Sequence, residues 1–211
     1  MSESLRNRWI RLWRDAALQG ECDTWFEVLT GHYGENHRHY HTLRHIEECL
    51  DEFSPVRRTA AHPAYVELAI WFHDAIYDTH SHDNEEQSAL LAEQCLSESR
   101  ASAEMRLAVR DLVMATKSHD ASRHLDAPLL VDVDLSILGK RPARFQEYES
   151  QIRQEYSWVP EEMFATRRAE ILQQFLSRPR IFSTDWFFRT HETPARKNLK
   201  ASLEQLRQVD R

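Results

Sequence analysis

Three places in the chain put side chains able to hold a metal ion where folding alone does not require them. His41 and His45 are four residues apart, a separation that on a helix sets both imidazoles on one face about one turn apart. His73 and Asp74 lie near the end of a stretch, Tyr65 to Tyr77 (YVELAIWFHDAIY), that is apolar on nearly every side. A carboxylate buried there without a partner is prohibitively costly, so the pair must be hydrogen-bonded, ion-paired or metal-bound. Asp134 shares a helical face with Leu130, Val131, Ile137 and Leu138 and should point inward. Asp132, on a nearly opposite face, is the second choice.

Imidazole nitrogens and carboxylate oxygens together suit a borderline or moderately hard divalent ion such as Zn²⁺, Mn²⁺, Fe²⁺, Co²⁺ or Ni²⁺. Four protein ligands leave room for water in an octahedral shell. Water on such an ion loses a proton near neutral pH and becomes a nucleophile, while the ion polarises a phosphoryl oxygen. Of the 12 histidines, His32, His37, His39, His62, His80 and His82 sit in polar, loop-like contexts and read as exposed.

The elements that must position these groups are helices. Only 4 glycines and 7 prolines occur among 211 residues, while Leu, Ala, Glu, Gln and Arg are plentiful, so the expected class is all-α with one domain spanning the whole chain. Trp9, Leu12, Trp13 and Ala16 recur at helical spacing, and a second pattern from about Asp23 turns Trp25, Phe26 and Leu29 inward. The pattern predicts a helix from about Tyr40 to Phe53, a central helix from Tyr65 to Tyr77, and one from Asp83 to Ser97 with Leu90, Leu91 and Cys95 inward. Asp83 and Glu86 resemble a capping box. Further helices are expected at 103–117, 128–139, 142–156 and 160–176, and Thr193-Pro194 is expected to open the last one.

The formal net charge of -7 argues against a surface that neutralises duplex nucleic acid. Cys22, Cys49 and Cys95 form no paired framework and read as buried thiols in a reducing compartment. No stretch resembles a signal peptide or a membrane span, so a cytoplasmic protein without a membrane partner is expected.

A His, a His-Asp pair and a distant Asp, all on helices, resemble the signature of the HD superfamily. Here these are His45, His73-Asp74 and Asp134. The sequence is most similar to bacterial proteins described as predicted metal-dependent HD phosphohydrolases, through RHYHTLRHI (Arg38 to Ile46), WFHDAIYD (Trp71 to Asp78), DNEEQSA (Asp83 to Ala89), DVDLSILG (Asp132 to Gly139) and ARKNL (Ala195 to Leu199). The likeness covers most of the chain and implies a single HD-type helical bundle. It also implies one or two divalent transition-metal ions and hydrolysis of a small, nucleotide-like phosphomonoester or phosphodiester. The string Tyr40 to His45 also resembles the start of the cyclic-nucleotide phosphodiesterase site, which makes His45 the ligand and His41 the proton donor. Asp74 would bind the metal and orient the attacking water. Arg38, Lys117, His119 and Glu85 are candidates to contact substrate or orient ligand imidazoles.

Two other readings of these residues stand beside hydrolysis. One is oxygenation at a di-iron centre, with His119 and His124 as additional ligands. The other is a nucleotide-binding or regulatory protein that keeps a structural metal. A ppGpp-type hydrolase is set aside, because in those enzymes the last Asp is followed by Arg-Leu-His-Asn, whereas Asp134 is followed by Leu-Ser-Ile-Leu.

Overall fold

The computed structural model describes residues 4–118 and 124–209. Among the described residues there are ten α-helices and no strand, so the class is all-α. The chain divides into two compact units, residues 1–134 and 135–211.

The first unit contains α1 (Leu5–Asp15), α2 (Cys22–Tyr33), α3 (Leu43–Phe53), α4 (Pro63–Phe72), α5 (Asn84–Glu98), α6 (Ala103–Ser118) and α7 (Ala127–Asp134). Helix α4 is the centre, with every residue from Val66 to Phe72 buried and with α1, α3, α5, α6 and α7 packed around it. Trp71 meets Trp9 edge to face at 5.3 Å and Phe26 at 6.1 Å. Burying an aliphatic or Phe side chain of this core is worth about 1.5–3 kcal/mol, so α4 is held by its surroundings more than by its own propensity.

One of those buried residues is Glu67, a charge that the sequence pattern did not flag. Its carboxylate is neutralised by Arg11 at 3.3 Å and Arg57 at 3.2 Å. It precedes His73 by six residues, roughly 9 Å along the axis, and takes no part in the site described below.

Helices α4 and α7 start together and end together. At their start the buried Asp126 accepts hydrogen bonds from the backbone N–H groups of Ala61 (2.8 Å) and His62 (2.9 Å). Their far ends carry His73, Asp74 and Asp134.

Several boundaries differ from the sequence reading for identifiable reasons. Helix α4 stops at Phe72, not Tyr77, and side chains take up backbone groups at and beyond its end. Tyr33 Oη donates to Trp71 O (2.9 Å), Arg38 donates to Asp74 O (2.6 Å) and Ala75 O (2.8 Å), and Ser88 bonds both backbone groups of Ile76. Helix α3 begins at Leu43, not Tyr40. The His41 carbonyl accepts from Arg38 (3.2 Å), and His45 N–H donates to Thr42 O (3.0 Å). The capping box does not form, since Asp83 takes Ser81 and Gln87 while Glu86 pairs with Lys117. In α5, Leu90 is exposed, whereas Ser88, Ala89, Ala92, Cys95 and Leu96 are buried.

The second unit comprises a 3₁₀ turn (Leu135–Gly139), α8 (Pro142–Glu155), α9 (Glu161–Ser177) and α10 (Asp185–Val209). Helix α10 begins eight residues before Thr193 and runs through Pro194. The buried Glu192 accepts from Ile181 N and Phe182 N, fixing the approach to this helix. Asn198 donates to Leu138 O and Lys140 O, both at 2.8 Å, and Arg196 donates to the carbonyls of Leu176 and Arg178. The ARKNL string therefore ties turns to α10. Trp158 and Trp186 stand half-exposed.

Candidate metal centre

The four residues singled out as ligands converge. Among the described residues, His45, His73, Asp74 and Asp134 each offer one ligand atom, all within 4.8 Å of one another. His45 comes from the first turn of α3, His73 and Asp74 from the residues directly after α4, and Asp134 from the last position of α7. The two imidazoles are buried, and the carboxylates remain partly open.

The spacing suits a shared ion. His45 Nε2 lies 3.1 Å from His73 Nε2. His73 Nε2 lies 3.0 Å from Asp74 Oδ2 and 3.5 Å from Asp134 Oδ1, and His45 Nε2 lies 3.5 Å and 3.4 Å from the same oxygens. Ligand–metal bonds of about 2.0–2.2 Å put neighbouring ligand atoms about 2.8–3.6 Å apart in tetrahedral or octahedral shells. The His73 Nδ1–H donates to Ile70 O at 3.0 Å, which in the neutral ring leaves Nε2 with a lone pair aimed at the group. Two carboxylates and two imidazole nitrogens form a donor set that fits a divalent cation. The C-terminal ends of α4 and α7 add their negative partial charges.

The charged groups of this cluster act strongly on one another. Burial disfavours charge on His73, but Asp74 and Asp134 outweigh it and raise its pKa well above the ordinary value. Burial likewise opposes charge on His45, where Cys49, Tyr40 and the two carboxylates prevail and raise the pKa. Burial pushes Asp74 up, yet His73, His41 and His45 hold it well below the usual carboxylate range. A metal ion would replace the protons that the imidazoles otherwise keep.

His41 reaches this centre from the turn before α3, not from the face of a shared helix. Its Nε2 is 4.0 Å from Asp74 Oδ2, and its ring stacks on Tyr77 at 4.0 Å and meets Tyr40 edge to face at 4.9 Å. The group contains Asp134 and not Asp132. Asp132 is fully buried, whereas the Asp134 carboxylate stays partly open beside the two imidazoles.

The remaining candidates are not members of this group of four. Arg38 is buried and bound to Glu35 and to three backbone carbonyls, which commits its guanidinium to the protein. Lys117 Nζ donates to His82 O at 2.9 Å and pairs with Glu86. Glu85 is half-buried in the first turn of α5, close enough to act electrostatically on Lys117. His119 lies outside the described residues. His124 accepts from Asp126 N at 3.0 Å and its ring lies 6.3 Å from that of His62, at the start of α4, whose 10 residues span roughly 15 Å towards His73.

Asn84 and Ser88, to which the sequence assigned no individual role, hold the loop that follows Asp74 in place. Asn84 Oδ1 accepts from Asp78 N (3.0 Å) and its Nδ2 donates to Asp78 O (2.9 Å). With Ser88 on Ile76, this is the work of the DNEEQSA string, whose quoted motif was the one available signal. Cys49 Sγ sits 3.7 Å from His45 Nδ1, one helical turn further along α3. All three cysteines are free; Cys49 and Cys95 are buried, while Cys22 is partly exposed.

No protein-family model matches the chain, no curated protein matches it, and no solved structure matches it. No helix among the described residues is long and apolar enough to cross a membrane.

Proposed function

We propose that His45, His73, Asp74 and Asp134 bind a divalent transition-metal ion and that the chain hydrolyses a phosphomonoester or phosphodiester of a small, nucleotide-like molecule. The observation that carries this reading is the convergence of two imidazole nitrogens 3.1 Å apart on two carboxylates, with His41 next to Asp74. The resemblance of the same residues to the HD signature supports the choice of reaction.

When bound, such an ion activates water and polarises the phosphoryl oxygen. Asp74 would accept a hydrogen bond from the attacking water and so fix its direction towards phosphorus, the proton that this water loses passing to solvent. As the new phosphorus–oxygen bond forms, the bond to the leaving oxygen breaks. His41, as imidazolium, gives that oxygen its proton, a transfer that imidazole chemistry supports near neutral pH. The products are phosphate, or a phosphomonoester from a diester, and an alcohol.

Protein stripped of metal and reloaded with Mn²⁺, Co²⁺ or Ni²⁺ should cleave p-nitrophenyl phosphate, its bis-ester or a nucleotide phosphoester, and His73→Ala should not. If no reloaded form cleaves any of them, and His73→Ala behaves identically, the reading fails.

A further inference from the structure

The sequence points to Arg38 as a substrate contact, but the fold gives it other partners. Its side chain is fully enclosed. Nε–H donates to Glu35 Oε2 at 2.9 Å, Nη1 donates to His41 O at 3.2 Å and Asp74 O at 2.6 Å, and Nη2 donates to Ala75 O at 2.8 Å. The same guanidinium lies over the rings of Tyr33 (5.2 Å) and Tyr77 (5.6 Å). Tyr77 in turn stacks on the His41 imidazole at 4.0 Å and 28°.

Two segments that share no helix therefore meet on one planar cation. One is the turn that carries His41; the other is the loop that carries Asp74. Arg38 reaches both backbones directly and His41 a second time through Tyr77. A helix C-terminus needs only a nearby cation to satisfy it. A fork that bonds the carbonyl of a ligand residue and the carbonyl of the residue opposite it does more, because it sets the distance between their side chains.

We propose that Arg38 is a positioning residue that fixes His41 against Asp74 and holds Asp74 in the metal group. The inference deepens the functional reading above and rests on it for the role of His41. Lysine keeps the positive charge but cannot reproduce the planar fork, so Arg38→Lys separates positioning from simple charge at a helix end.

The test uses the full chain and two readouts that need no turnover. The first is the affinity for Mn²⁺ alone. The second is the hyperfine shift of the His41 imidazole protons in the Co²⁺-loaded protein, followed by NMR. Arg38→Lys, shown to be folded by circular dichroism, should bind Mn²⁺ about 10- to 100-fold more weakly, the usual cost of losing an outer support of a metal ligand. It should also lose most of the His41 hyperfine shift. Tyr77→Leu removes only the stacked ring and should lose most of that shift as well; it carries the test if Arg38→Lys does not fold.

Wild-type Mn²⁺ affinity with an unchanged His41 shift in folded Arg38→Lys overturns the proposal, as does an unchanged shift in Tyr77→Leu where that variant carries the test. Absence of phosphoester hydrolysis by the wild type would sink the functional reading and leave these two measurements to judge Arg38 on their own.

Discussion

Ser88→Ala tests whether the metal centre depends on how α5 grips the loop that carries Asp74. Ser88 is fully buried. Its hydroxyl accepts from Ile76 N at 3.0 Å and donates to Ile76 O at 3.2 Å, two residues beyond Asp74. Alanine fits the same space but leaves a backbone donor and acceptor without their partner. Each unsatisfied buried group costs about 1–3 kcal/mol, and Ile76 is only half-buried, so water recovers part of that. The net loss should be about 1–3 kcal/mol, which for a chain of this size lowers Tm by about 2–10 °C.

The functional consequence is separate from the loss of stability. Freed from Ser88, the loop no longer fixes the Asp74 carboxylate, and Mn²⁺ affinity should fall about tenfold. Asp126→Ala provides the comparison, since it removes two backbone bonds of 2.8 and 2.9 Å at the opposite end of α4. It should destabilise the protein at least as much while leaving Mn²⁺ affinity nearly unchanged, because distant sites act additively. The assays are thermal melting of metal-free protein and Mn²⁺ titration of each variant below its Tm. Equal losses of affinity in the two variants, or none in Ser88→Ala, would refute the claim that α5 supports the site through this hydroxyl.

Two further outcomes follow from the same geometry. In metal-free protein the raised pKa values of His45 and His73 contribute stability that is fully present below about pH 6.5 and is lost as pH rises through the folded values. The lowered pKa of Asp74 acts at the acid end, its contribution disappearing as pH falls through the folded value. Metal binding needs unprotonated imidazoles, so the Tm difference between Mn²⁺-loaded and metal-free protein should widen from about pH 6 to pH 8; a constant difference would contradict the assignment of both histidines as ligands. His41→Ala should retain Mn²⁺ affinity but lower kcat by about 10²- to 10⁴-fold, with a greater loss for an alkyl ester than for a p-nitrophenyl ester. Equal losses for both leaving groups would remove His41 from the proton-donor role.

Three of the four clustered residues were legible in the amino-acid order because burial makes polar groups conspicuous. His73 and Asp74 follow a helix with an almost wholly apolar surface, and Asp134 interrupts another; the energetic cost of such placements marks them without any coordinates. Helix content was legible for the same kind of reason, from scarce glycine and proline and from apolar spacing. Glu67 shows the limit of that signal. It too is buried in α4, yet it is matched by Arg11 and Arg57, partners that lie 56 and 10 residues away.

The ends of α3, α5, α6, α8 and α9 fall within a residue of where apolar spacing and caps put them, whereas the end of α4 and the starts of α3 and α10 were not legible. Arg38 takes carbonyls beyond the end of α4 and just before α3, 36, 37 and 3 residues away, and a backbone carbonyl carries no sequence mark. His41 illustrates the consequence. Its spacing from His45 suggested one helical face, whereas it arrives on a turn and still comes within 4.0 Å of Asp74. By itself the sequence determined that His73, Asp74 and Asp134 need partners inside an all-helical protein. Only the tertiary structure decided that His45, His73, Asp74 and Asp134 serve one another, since the direction of a side chain is set by packing and by hydrogen bonds across the fold, while composition and spacing set only its cost.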